Sequence, residues 1–505
     1  MKNYAELIVK GSLFVFLMYA IGTASGYILR IYLAKNLSLE DFGLFYALLA
    51  FSGIFILFRD LGLSSAMVKY IAESNAKNLH KDSKTYFLTG LGIQLIIGTV
   101  IMAPIILFSN QIAVAYFKTP AASLPLIIVA ATYIISIFFS IQYLFQGLGK
   151  IKHYSLIEPM RNVLTLFFAL ALVSLGVLGV ALSYLFAAVL SLAIAYLALI
   201  KIFPLFTLKA QISFDKTKKL LIFSLPVFLA ATAGTILGYT DTILITYFRS
   251  LTEVGLYNAA MPTSQLLWIV ASPITIVLLP VSAELWAKKE RQLLSKIVQT
   301  SLKLSFLAII PLIIVFVSFP EIFLRLFFGE AYVAASTAMQ ILAINAAFFT
   351  LFAISSTVLL GIGKTKINVI VYSSAALLNL AGNILLVPSF GIAGAAFSTT
   401  ASYLAGSVLS LYYLEKNLLV RMPLDSIFKA VFCGLGALLI VFALKQVLNI
   451  GPWIELLFSA VIGSLFYAFF IFFFRAVGKE DVKMLERIKV RVPKGLSYIL
   501  NKLAK

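Results

Sequence analysis

Few side chains here can do chemistry, and those few are charges set in long apolar runs. Arg30, Arg59, Asp60, Glu158, Arg161 and Asp241 each fall in or at the edge of a stretch dominated by Leu, Ile, Val, Phe and Ala. A charge so placed costs about 2.5–3.5 kcal/mol on membrane-insertion scales, so each is a functional candidate by default. Guanidinium groups fork onto phosphate oxygens. A carboxylate such as Asp241 could hold a proton or Na⁺. This is binding chemistry. No Ser/His/Asp set for nucleophilic catalysis stands out. Cys433 is alone, and His80 and His153 lie far apart in polar connections, so no metal site and no cofactor are expected. Gly363-Lys364-Thr365 ends like a phosphate-binding loop, but that loop's first glycine would fall at Val358 and an apolar span precedes it. This segment and its counterpart Gly147-Leu148-Gly149-Lys150 read as tight turns with lysines at the headgroups.

Each charge also has a plainer reading. Arg30 and Asp241 lie toward the outer ends of their spans and could snorkel. Arg59 and Asp60 could pair with each other or with headgroups. Glu158 and Arg161, three apart on one helix, could form a local ion pair. Asn258, Asn345 and Asn379 could contact a sugar, with bonding between helices the stronger expectation.

The elements that hold these residues follow from composition. The chain has 505 residues, 62% apolar and 12% charged, with a mean hydropathy of +1.03. Soluble proteins carry about 25% charged residues. A soluble enzyme, a nucleic-acid-binding protein and a disordered chain are excluded, leaving an all-α polytopic membrane protein. Runs of the required length, about 20 residues, fall near 10–34, 41–61, 85–108, 121–146, 155–175, 178–201, 219–247, 254–283, 297–319, 332–361, 367–388, 392–414, 425–446 and 453–475. That predicts fourteen transmembrane helices, the first retained and not cleaved as a signal peptide. Pro262, Pro273 and Pro280 predict an irregular eighth span.

Lys and Arg set the orientation. With the N-terminus inside, only Arg30, Lys35, Lys118, Arg249, Arg325 and Lys445 of the forty fall outside. Both termini are therefore expected in the cytoplasm, in the cell membrane. The net charge of +20 faces anionic membrane lipids and not nucleic acid. The tail, 478–505, reads as a basic amphipathic helix on the inner surface.

An internal repeat organises the rest. Gly22-Thr23-Ala24-Ser25-Gly26-Tyr27 recurs as Gly234-Thr235-Ile236-Leu237-Gly238-Tyr239, and Ser38–Phe45 matches Ser250–Tyr257, both at an offset of 212. Gly147–Lys152 matches Gly361–Lys366 at 214, and Gly176–Ser183 matches Gly391–Ser398 at 215. Six spans per repeat give both halves one orientation, with lobes at 1–205 and 215–415 rocking about a cavity, and two additional helices at 425–476. Gly22, Gly26, Gly234 and Gly238 sit four apart on their helices and suit close packing or, with Pro226, hinge bending. The repeat sets Leu29 against Asp241 and Arg30 against Thr242, so one half is cationic where the other carries an acid.

These segments carry a resemblance. Leu37-Ser38-Leu39-Glu40-Asp41-Phe42-Gly43-Leu44, Arg59-Asp60-Leu61-Gly62-Leu63-Ser64-Ser65-Ala66, Gly147-Leu148-Gly149-Lys150 and Gly391-Ile392-Ala393-Gly394-Ala395-Ala396 resemble the polysaccharide-transporter, or oligosaccharide flippase (Wzx-type), branch of the multidrug/oligosaccharidyl-lipid/polysaccharide exporter superfamily. The resemblance implies V-shaped lobes about a cationic cavity. It implies flipping of a lipid-linked oligosaccharide, on a polyprenyl phosphate or pyrophosphate carrier, from the inner to the outer leaflet. Arg30 and Arg59 correspond to the arginines that such cavities use on their first two spans, and Asp60, Arg161 and Asn258 join them as substrate-binding candidates. Glycosyltransferases or a polymerase of the same pathway are the implied partners. The rivals are a cation-coupled multidrug exporter, disfavoured because residues 10–34 hold no acid, and a membrane-embedded glycosyltransferase, disfavoured by the lack of an acidic outer loop.

Overall fold

The computed structural model describes residues 4–55, 58, 60–204, 210–211, 213–418, 424–447, 451–474 and 476. Arg59, the side chain of Pro226 and the 478–505 tail lie outside the described residues. The described chain is helical and contains no strand. It divides into two compact units, Met1–Gly255 and Leu256–Lys505.

The first unit holds α1 (Tyr4–Asn36), α2 (Leu39–Ile54), α3 (Leu63–Ala76), α4 (His80–Leu107), α5 (Ser109–Ala115), α6 (Ser123–Ile135), α7 (Ile141–Gly147), α8 (Ile151–Leu172), α9 (Gly176–Ile202) and α10 (Phe214–Phe248). The chain passes to the second unit within α11 (Leu251–Gln265) and continues through α12 (Ser272–Ala287), α13 (Arg291–Ser318), α14 (Pro320–Phe327), α15 (Ser336–Gly361), α16 (Thr365–Leu418), α17 (Leu424–Val447) and α18 (Pro452–Phe473).

Helix is what a bilayer demands, because no water is available to satisfy a backbone amide there. α18 shows the consequence for side chains. Trp453, Leu457, Val461, Leu465, Phe469 and Phe473, each four apart, are exposed, whereas Ser459, Gly463, Tyr467 and Ile471 are buried. The small and polar stripe faces the protein, the reverse of a soluble helix. Tyr467 donates a hydrogen bond to the Leu307 carbonyl of α13 at 3.1 Å.

Among the described residues, eight helical runs are long and apolar enough to cross a membrane, or nine with the bent eighth span as one. The sequence predicts fourteen. Part of the difference is doubling: Ile151–Ile202 and Thr365–Leu418 each count once and each carry two expected spans. Both runs turn at a glycine, Gly176 (φ 63°, ψ −144°) and Gly391 (φ 53°, ψ −134°), a left-handed conformation that suits glycine. These two residues are the same position of the repeat. Beyond Gly391 the chain folds back, so that Asn379 Nδ2 donates to Thr399 Oγ1 at 3.0 Å and Ser398 Oγ to the Asn379 carbonyl at 2.9 Å.

The repeat extends to hydrogen bonds. Gly149 N–H donates to Gln146 O (3.0 Å) and Lys150 N–H to Phe145 O (2.8 Å); Gly363 donates to Leu360 (3.0 Å) and Lys364 to Leu359 (2.9 Å). Both are helix ends closed by a left-handed glycine, with the paired bonds that such ends make, so the apparent phosphate loop is a helix cap. The second span breaks between Ile54 and Leu63 through left-handed Leu61 and Gly62. The eighth breaks at the equivalent place, between Ile269 and Ser272, with a bend of 51°.

The glycines sort differently from the sequence expectation. Among the described residues, a Cβ on Gly26, Gly234 or Gly238 would meet nothing within 4 Å, and on Gly22 only ordinary contacts at 3.5 Å. Close packing belongs instead to Gly43 and Gly255. A Cβ on Gly43 would lie 1.8 Å from Leu251 O, and one on Gly255 would lie 2.5 Å from Leu39 O. The four residues are two repeat-related pairs, so α2 and the start of α11 cross reciprocally. Gly43→Ala is therefore expected to cost about 1–3 kcal/mol through overpacking, whereas Gly26→Ala should gain about 0.5–1 kcal/mol from helix propensity. Thermal unfolding of the two purified variants in detergent checks this; equal midpoints would refute it.

Candidate functional site

The first unit gathers several of the charges. α1 packs on α8, and α8 on α9. Arg30 of α1 turns back onto the protein, its guanidinium 4.0 Å from the ring centre of Tyr46. Tyr46 is buried, with Phe42 and Phe45 edge-on at 4.8 and 5.5 Å, and Phe45 in turn meets Tyr184 of α9 at 5.2 Å. Arg161 of α8 pairs with Glu158 and lies 5.4 Å from the Phe139 ring. Each of the two guanidinium groups thus lies against an aromatic ring within the first unit, a setting in which a cation is partly held by the ring face.

Asp60 sits at the break of the second span and its carboxylate is engaged. It accepts from Gln94 Nε2 at 2.7 Å, Ser64 Oγ at 2.9 Å and Ser64 N–H at 3.3 Å. Gln94, 1% exposed, accepts in turn from Ser140. Ser140 belongs to the 3-10 turn between α6 and α7, so the network ties two interrupted spans through α4. Arg59, beside Asp60, lies outside the described residues.

Asp241 of α10 is 3% exposed, so it is buried and not snorkelling to the surface. Leu29, its repeat partner, is buried to the same 3%. Asn258 is half-buried in α11, in the second unit. Gly22 receives a bond from Asn162 Nδ2 onto its carbonyl at 3.1 Å. α1 and α10 are continuous helices through Gly22, Gly26, Pro226, Gly234 and Gly238. No cluster of three His, Cys, Asp or Glu able to hold a metal occurs among the described residues.

Sequence reading passed over Tyr46, Tyr184 and Gln94. Each carries a hydrogen-bonding group within an apolar run, a weaker signal than charge.

The fold and these inward-facing charges define a polytopic helical membrane protein with a polar interior. The polysaccharide biosynthesis protein family pattern matches residues 8–286, and the MatE pattern residues 226–385. A membrane protein of Methanocaldococcus jannaschii without an assigned function is 30% identical over 95% of this chain and 98% of its own. The probable low-salt glycan biosynthesis flippase Agl15 of Haloferax volcanii is 22% identical over 95% and 99%. The lipid II flippase MurJ, in an inward closed conformation, shares the fold with a TM-score of 0.75 at 15% identity, covering 92% and 99%. The chain belongs to the polysaccharide biosynthesis protein family.

Gln94→Leu would remove one of the donors to Asp60 and the acceptor of Ser140. It is expected to destabilise the first unit by about 1–3 kcal/mol, read as a lower unfolding midpoint. An unchanged midpoint would show that the network carries no stability.

Proposed function

We propose that the protein flips a lipid-linked oligosaccharide, on a polyprenyl phosphate or pyrophosphate carrier, from the inner to the outer leaflet. It is read as a transporter and not an enzyme. The observation that carries the proposal is the placing of Arg30 on the Tyr46 ring and Arg161 on the Phe139 ring in a chain similar to a glycan flippase over nearly all its length. A pyrophosphate cannot enter hydrocarbon alone. Guanidinium groups replace its hydration, fork to fork with its oxygens. Outward movement of the anion runs with an inside-negative potential, worth about 2.3 kcal/mol per charge per 100 mV.

In this reading Arg30, Arg59, Asp60, Arg161 and Asn258 contact the substrate. The repeats at 1–205 and 215–415 alternate access, bending at Gly22, Gly26, Pro226, Gly234 and Gly238. The unfilled space beside Gly26, Gly234 and Gly238 supports bending over packing. Asp241, buried among apolar helices, takes up a proton or Na⁺. The protein sits in the cell membrane with both termini cytoplasmic, its basic face on anionic lipids, and receives substrate from glycosyltransferases and delivers it to a polymerase or transferase.

A multidrug exporter is the second reading, supported by the MatE match over residues 226–385. Reconstituted vesicles loaded with a fluorescent polyprenyl-pyrophosphate oligosaccharide distinguish the two: outward flipping of that lipid, with no efflux of organic cations, is expected. Arg30→Ala and Arg59→Ala should each abolish flipping while leaving a folded protein. Full complementation of a flippase-deficient strain by both variants would overturn the cationic site. Asp241→Asn should change the response of transport to pH or sodium gradients, and an unchanged response removes the coupling role.

A further inference from the structure

A cavity of about 370 Å³ opens within the first unit between α1, α7 and α8, inside the range of about 300–1,000 Å³ typical of small-molecule sites. Helical spacing builds its walls. Tyr154, Glu158 and Asn162 are four apart on one face of α8, Tyr19 and Thr23 are four apart on α1, and Gln142 projects from α7. Tyr19 is 71% exposed, an aromatic face presented to the opening. The Asn162 bond to the Gly22 carbonyl fastens the far wall to α1.

These side chains form an unusual set for an apolar bundle: two amides, a carboxylate, a threonine hydroxyl and two phenol rings. A hydrocarbon would offer no partner to the Gln142 amide or to the Asn162 carbonyl oxygen, whereas a hydroxylated ligand would. Arg161 compensates the Glu158 carboxylate, so this wall offers little net charge to either an anion or an organic cation. What remains is a neutral polyol with an apolar face. Carboxylate and amide groups pair with adjacent hydroxyls, which both donate and accept, while tyrosine rings cover the C–H face of a pyranose.

We infer that this cavity is a carbohydrate subsite, taking a neutral sugar of the substrate while the arginines take its phosphate. The inference rests on the flippase reading for its biological ligand, but the binding chemistry is separable from it. Glu158 joins the two sites, since it borders the cavity and pairs with Arg161. Sugar occupancy therefore adjusts Arg161, and through Asn162 it reaches α1 at Gly22.

The test uses the purified full-length chain in a detergent without a sugar headgroup. Saturation-transfer NMR is recorded with N,N′-diacetylchitobiose, maltose and lactose, then with tetraphenylphosphonium and farnesyl pyrophosphate. At least one disaccharide should receive transfer at its ring protons. Gln142→Leu should weaken that binding at least tenfold. Tyr19→Leu, at an exposed position that folding tolerates, should do the same, and Glu158→Gln should weaken it less. Binding of no disaccharide, or undiminished binding in both Gln142→Leu and Tyr19→Leu, overturns the inference. So does displacement of the sugar by tetraphenylphosphonium. Farnesyl pyrophosphate binding without sugar binding would sink the cavity and leave the proposed function standing; sugar binding without farnesyl pyrophosphate binding would do the opposite.

Discussion

A bilayer core offers no water to a polar group, so every amide and every charge within it must find a partner in the protein or the ligand. The rest of this structure can be derived from that constraint. It forces the chain into helices, and it turns the residue pattern of each helix around. Along α18 the large apolar residues face outward, while Ser459, Gly463 and Tyr467 face in. It also explains why these charged groups of the first unit meet rings, polar side chains or one another: Arg30 on Tyr46, Arg161 on Glu158 and Phe139, Asp60 on Gln94 and Ser64.

The same constraint makes interruptions in helices expensive, and here they recur at matched places. The second and eighth spans break at equivalent positions of the repeat, and the hairpins turn at Gly176 and Gly391 with nearly the same dihedral angles. Among the described residues, the first break is held by a polar network, Asp60–Gln94–Ser140. Residues 272 and 354, the repeat positions of Asp60 and Ser140, are Ser272 and Ile354. Backbone conformation is thus shared between the repeats while side-chain chemistry is not.

The aromatic residues connect the two parts of the candidate site. Tyr46 seats Arg30, and Phe45 links it to Tyr184. On α8, Tyr154 and Glu158 line the cavity with Tyr19, and Glu158 also pairs with Arg161. The cavity and Arg161 therefore share one face of this helix, with Asn162 linking it to α1.

Much was legible without coordinates, because it depends on local pattern. Apolar run length determines where spans can lie, lysine placement biases their orientation, and matched glycines expose the repeat. The i, i+3 spacing of Glu158 and Arg161 foretold their pair, which any helix would bring together. What sequence could not decide was which distant faces meet. Gly43 and Gly255 are 212 residues apart, and only the packed helices reveal that each occupies the space its partner's side chain would need. Gly22 and Gly26 share a motif, yet no neighbour crowds either. Arg30 could equally have reached for headgroups, and Asp241 for the surface; tertiary packing laid one on Tyr46 and buried the other. The physical reason is that helix formation in lipid is satisfied within each segment, whereas side-chain partnership is settled only when segments assemble.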